Sequence, residues 1–118
     1  MQYLLLIYGN ESVYGKMTEA DQGKISQEYG EYTQSIAKSG HFKGGNELDR
    51  TPTATTVRVR DGKRLVTDGP FAETKEQLGG YYLVEAKNLD DAIALAARIP
   101  SARWGSIEVR PIIPHPMP

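Results

Sequence analysis

Apolar residues first gather in Tyr3-Leu-Leu-Leu-Ile-Tyr8, a short run rich in β-formers and closed by Gly9-Asn10, which predicts a buried central strand. Residues 10–17 carry no clear period and read as a loop. Thr18-Glu-Ala-Asp21 then fits a capping-box pattern, and Ile25, Tyr29, Tyr32 and Ile36 recur at helical spacing. A helix with one apolar face therefore runs to about Ser39, with Gly40 suited to the position just past its end. Gly23 and Gly30 fall inside it, each costing roughly 1 kcal/mol relative to alanine, so close packing against a neighbour is expected there.

His41–Leu48 is interrupted by Gly44-Gly45 and reads as a strand with a bulge. Ala54–Arg60 and Lys63–Thr67 flank Asp61-Gly62, a strong hairpin signal that puts Val57 and Val59 on one face and Arg58 and Arg60 on the other. Gly79–Ala86 predicts a strand with a buried middle. Asn88-Leu-Asp-Asp91 supplies an N-cap and acidic first turn, and Leu89, Ala92, Ile93, Ala96 and Ile99 trace one face of a second helix to Pro100. Ser101–Gly105 reads as a loop and Ser106–Arg110 alternates as a last strand before a proline-rich tail, residues 111–118.

Strand, helix, strand, hairpin, strand, helix, strand is the order of an α+β, ferredoxin-like split βαβ unit: an antiparallel sheet, an inserted hairpin and two helices on one face. One such layer leaves the other face of the sheet bare. Tyr3, Leu5 and Ile7, with Val57 and Val59, suggest that this face is apolar, so a homodimer with facing sheets is expected.

A chain of 118 residues supports one domain, here residues 1–110 as core with the tail appended. The formal charge of −1 offers no global attraction to nucleic acid or to an anionic membrane. Cysteine is absent, which excludes disulfides, thiolate metal sites and thiol nucleophiles and suits a reducing compartment; the cytoplasm is the expected location. The apolar N-terminal run lacks a basic flank and is too short to span a bilayer. With two histidines, His41 and His115, an imidazole metal centre would need both, so no metal and no cofactor is expected. Dinucleotide, P-loop, nucleophile-elbow and His-Glu-x-x-His signatures are missing.

Candidate chemistry concentrates in Asp68-Gly-Pro-Phe-Ala-Glu-Thr-Lys-Glu-Gln-Leu-Gly-Gly-Tyr-Tyr82, where a tight turn precedes a crowded polar run. Asp68, Glu73 and His41 are the candidate acid–base groups, since a pocket can move such pKa values toward neutrality. Asp68 equally suits a turn brace, Glu73 a surface pair and His41 a helix terminus. Lys75 and Arg58 are candidate holders of an anionic group, and Phe71, Tyr14 and Tyr82 offer ring surface for an aromatic ligand. Tyr29 and Tyr32, on the helix face, are expected to pack on the sheet.

Asp68-Gly-Pro-Phe-Ala-Glu-Thr-Lys-Glu76, followed by Gly79-Gly-Tyr-Tyr82, resembles the signature of the DGPF-motif branch of the YCII-related proteins. The resemblance covers nearly the whole chain and implies a dimeric α+β barrel. Enzymes of the wider family are thought to use a histidine on the first helix and an aspartate near the end of the second; the equivalent positions here fall near Tyr29 and at Ile99 before Pro100, so that mechanism does not carry over. Two readings follow: a small-molecule-binding protein with acid–base chemistry on a small substrate, or a non-enzymatic accessory to sigma-factor-type transcription control.

Overall fold

The structure, a computed structural model, describes residues 1–116 of the 118; the last two residues of the expected tail lie outside it. Strands β1 (Gln2–Gly9), β2 (Phe42–Glu47), β5 (Gln77–Glu85) and β6 (Ser106–Pro111) form one antiparallel sheet in the order β2-β5-β1-β6. Helices α1 (Glu11–Gly15), α2 (Glu19–Lys38) and α3 (Leu89–Ala97) complete it, with the hairpin β3 (Thr55–Arg60) and β4 (Lys63–Asp68) as a separate ribbon. This is the ferredoxin-like α+β arrangement that the element order predicts.

Local chemistry accounts for the element ends. Thr18 accepts a hydrogen bond from Asp21 N–H at 3.1 Å and starts α2; Asn88 accepts from Asp91 N–H at 3.0 Å and starts α3. In the hairpin turn, Asp61 (φ 51°) and Gly62 (φ 73°) both take left-handed conformations, as a two-residue turn requires. The bulge expected in β2 sits between Phe42 and Gly44.

The core lies between one sheet face and the two long helices. Tyr3, Leu5, Tyr82 and Val84 come from the sheet, Tyr32 and Ile36 from α2, and Ala92, Leu95 and Ala96 from α3, with Ile99 just beyond it. Tyr32 packs edge-on against Tyr82 with ring centroids 5.2 Å apart, and its hydroxyl donates to the Leu95 carbonyl at 2.8 Å, so a buried polar group is satisfied.

Four local expectations are corrected. Tyr3 and Leu5 point into this core; the bare sheet face instead carries Leu4, Leu6, Tyr81 and Leu83, and Val57 and Val59 belong to the detached hairpin. A one-residue shift of phase exchanges the faces of a strand, and an unbroken apolar run conceals that phase. On α3 the buried stripe is Ala92, Leu95 and Ala96, continued by Ile99 beyond its end, while Leu89 and Ile93 are about half exposed. Gly23 and Gly30 face open space, so no neighbour demands their smallness. Residues 11–15, expected as loop, form α1, capped by Asn10, whose side chain accepts from Ser12 N–H.

Candidate functional site

Burial fades along α2 toward its N-terminus: Ile36 and Tyr32 are buried, whereas Tyr29 and Ile25 are only partly so. Beneath this freer half, the sheet presents Gly45 and Gly80 at core-facing positions beside Tyr82 and Ile7. No side chain can rise from Gly45, where an added Cβ would lie 2.9 Å from the Tyr81 carbonyl oxygen and 3.0 Å from the Tyr82 ring. A cavity of about 400 Å³ remains between helix and sheet, a size typical of small-molecule sites.

Ile7, Phe42 and Tyr82 floor the cavity, and Ile25, Tyr29 and Thr33 roof it. Ser101 and Trp104 border it on the β6 side, Glu47 and Arg50 on the β2 side, and α1 crosses the strand ends with Glu11 and Tyr14. Side-chain amides fasten α1 in place. Gln77 accepts from Glu11 N–H at 3.0 Å, Gln22 donates to the carbonyls of Tyr14 and Met17, and the Glu11 carboxylate accepts from the amide and hydroxyl of Thr51 at 2.9 and 2.6 Å.

Two hydroxyl pairs give the interior its polarity. The Tyr29 hydroxyl is hydrogen-bonded to Ser101 Oγ, and the Tyr82 hydroxyl lies 2.7 Å from Thr33 Oγ1. Thr33 has one proton and gives it to the Tyr29 carbonyl at 2.9 Å. Tyr82 is therefore the donor to Thr33, and its remaining lone pair can accept from a ligand. Burial pushes the Tyr29 and Tyr82 phenols above their ordinary value, only partly offset by these hydrogen bonds, so both stay protonated at neutral pH. They serve as hydrogen-bonding groups rather than bases. Glu47 is the carboxylate on the lining whose oxygens hold no hydrogen bond among the described residues, since Glu11 is committed to Thr51.

Of the residues singled out in the sequence, Tyr14 and Tyr82 line the cavity; Asp68, Phe71, Glu73, Lys75, Arg58 and His41 do not. Asp68 ends β4 opposite Thr55, and Phe71 is 79% exposed, with Glu73 and Lys75 also in solvent. Arg58 lies across the hairpin from Leu65. His41 links two helix ends: its Nδ1 lies 2.7 Å from Ser39 Oγ and its Nε2 3.5 Å from Asp91, whose carboxyl is held below its usual range chiefly by the Lys87 backbone N–H and further by His41.

The motif loop reaches the cavity indirectly. Gln77 donates to the Thr74 carbonyl at 2.6 Å while holding α1, Glu76 accepts from Ser106 Oγ at 2.7 Å, and Gly69 (φ 93°) donates to the Ala54 carbonyl at 2.7 Å. Sequence reasoning passed over Tyr29, Thr33, Ser101, Glu47, Arg50 and Trp104. Tyr29 had a signal: it falls near the position where enzymes of the resembling family place a histidine. Its helical spacing had marked it as core. The buried Ile99 side chain is apolar, and Ser101, two residues on, meets the phenol instead.

The chain matches the YCII-related domain over residues 1–116. It is also 35% identical, over 114 residues, to an uncharacterized protein of Rhizobium meliloti (strain 1021), with 95% of this chain and 92% of that relative covered. A family match across nearly the full length, together with a relative of the same extent, places this chain in the YCII-related domain family.

Proposed function

We propose that this chain is a homodimeric small-molecule-binding protein of the DGPF-motif branch, holding its ligand between the N-terminal half of α2 and the sheet. The cavity of about 400 Å³, apolar at Ile7, Ile25 and Phe42 and hydroxyl-bearing at Tyr29 and Tyr82, carries this reading. A ring or short chain desolvates against the apolar walls while the hydroxyls orient its polar atoms. Where the ligand is turned over, Glu47 is the lining carboxylate with free oxygens to move a proton, and the phenols orient the reacting group. The motif loop then acts as a brace, setting Gln77 and through it α1 and Tyr14. A chain free of cysteine suits the cytoplasm; among the described residues, no helix is long and apolar enough to cross a membrane.

A fragment screen by protein-observed NMR tests the reading, run on wild type and on Ser26→Trp, which adds an indole at the cavity lining from an exposed α2 position. Expected are several small aromatic hits that Ser26→Trp abolishes while thermal stability is kept. Hits unaffected by Ser26→Trp, together with no hits shifting Tyr29 or Tyr82 resonances, would remove the cavity as the site.

The exposure of Phe71 favours a second reading, a protein-docking loop in an accessory to sigma-factor-type control. Phe71→Ser separates the two. It leaves ligand binding unchanged under the first reading and abolishes partner capture under the second.

A further inference from the structure

Resting on the cavity as a ligand site, we propose that its ligand is a zwitterion of the α-amino-acid class, with the carboxylate on Arg50, the ammonium on Glu47 and an apolar or aromatic body against Ile7, Ile25 and Phe42. The observation is a pair of opposite charges on one cavity that do not satisfy each other. Arg50 and Glu47 both line it, yet neither belongs to an ion pair among the described residues. Nor does either side chain hold a hydrogen bond there, whereas Glu28, Glu108, Arg103 and Arg110 are all engaged.

The backbone places the two stations on separate elements. Glu47 ends β2, paired with Gly80, while Arg50 begins the next turn, its amide donating to Asp49 Oδ1 at 2.7 Å and its carbonyl accepting from Thr53 at 3.0 and 2.7 Å. The Arg50 guanidinium spreads over Gly15 of α1, about 3.5 Å from where a Cβ would stand there. The third charged side chain of the lining, Glu11, is turned to Thr51 through both oxygens.

Complementarity to these two unengaged charges then selects the ligand. A simple carboxylate on Arg50 leaves Glu47 facing an anion, and a simple amine on Glu47 leaves Arg50 facing a cation. A molecule with both charges at one end and an apolar body uses both stations without a like-charge contact. Both residues are exposed, so the pair contributes selectivity more than affinity.

Isothermal titration calorimetry with L-phenylalanine, 3-phenylpropionate and 2-phenylethylamine isolates each charge on one ring system. The amino acid is expected to bind about tenfold tighter than either relative. Arg50→Ala should erase its advantage over the amine and Glu47→Gln its advantage over the acid, with Tm unchanged in both. Equal binding of all three compounds, or an advantage that survives both substitutions, overturns the zwitterion assignment and leaves the cavity in place so long as Ser26→Trp still blocks binding. If none of the three binds but neutral aromatics do, the zwitterion assignment again falls alone. Absence of every ligand, or indifference to Ser26→Trp, overturns the cavity reading itself.

Discussion

Tyr29 and Tyr82 show how burial and hydrogen bonding divide the work at single residues. Their phenols, with that of Tyr32, titrate above the ordinary value of 10.0 because burial opposes the phenolate. A raised folded-state pKa contributes stability that is fully present below the unfolded value and is lost as pH rises through the folded one. These tyrosines should therefore leave stability flat from neutrality to about pH 9.5 and erode it above about pH 10. Chemical denaturation across pH 7–11 checks this, with Tyr82→Phe flattening the alkaline slope. At pH 7 that variant should cost about 1 kcal/mol through the lost bond to Thr33. Gly105→Ala should cost more, about 2–3 kcal/mol, because a Cβ there overlaps the Tyr8 carbonyl oxygen, a rigid backbone neighbour. Asp68→Ala should stay within about 0.5 kcal/mol by thermal melting, since the Asp68 side chain holds no hydrogen bond among the described residues.

At the scale of elements, the sheet and the hairpin differ in what supports them. β1 and β5 pair along their length and are covered by helices on one face. The β3–β4 ribbon exposes Val57, Val59, Leu65 and Val66 and joins the rest through its base at Gly69 and Ala54. A two-stranded ribbon is marginal in water by itself. Amide hydrogen exchange should rank accordingly, with β3 and β4 exchanging well before β1 and β5 in dilute protein. If a second copy covers the ribbon, its protection should rise with protein concentration while that of β1 stays constant. Equal protection of hairpin and sheet in a dilute monomer would contradict this account.

The whole molecule is a slab of 48 × 47 × 19 Å with a radius of gyration of 16.4 Å, against about 13 Å for a compact chain of this length. Two features cause the excess: a bare sheet face with Leu4, Leu6, Tyr81 and Leu83, and the projecting hairpin. Both are economically covered by a second copy, which supports the proposed homodimer. Sedimentation equilibrium should then return twice the 13.1 kDa of one chain. Val66→Asp, on the valine face of the ribbon and paired with Val57, should shift the mass toward the monomer with little change in the fold, because the site is exposed in one chain. A wild-type chain that remains monomeric at high concentration would refute the dimer.

What the sequence determined by itself was local chemistry: Thr18 and Asn88 as caps, Asp61-Gly62 as a turn, and a strand and helix order compatible with few topologies. These are legible because each rests on interactions within a few residues. Tertiary structure alone decided which face of β1 is inside, since Leu4-Leu-Leu-Ile7 is apolar in both phases. It also decided where the cavity lies, since that depends on Gly45 and Gly80, from separate strands, meeting under a half-buried stretch of α2. The motif loop drew attention through its density of charge, yet its side chains mostly face solvent. The hydroxyl pairs join residues 72 and 49 positions apart, and the Glu47 and Arg50 stations converge on one cavity with Tyr29. Spacing along a chain cannot reveal such meetings, because only packing of the helix on the sheet brings them about.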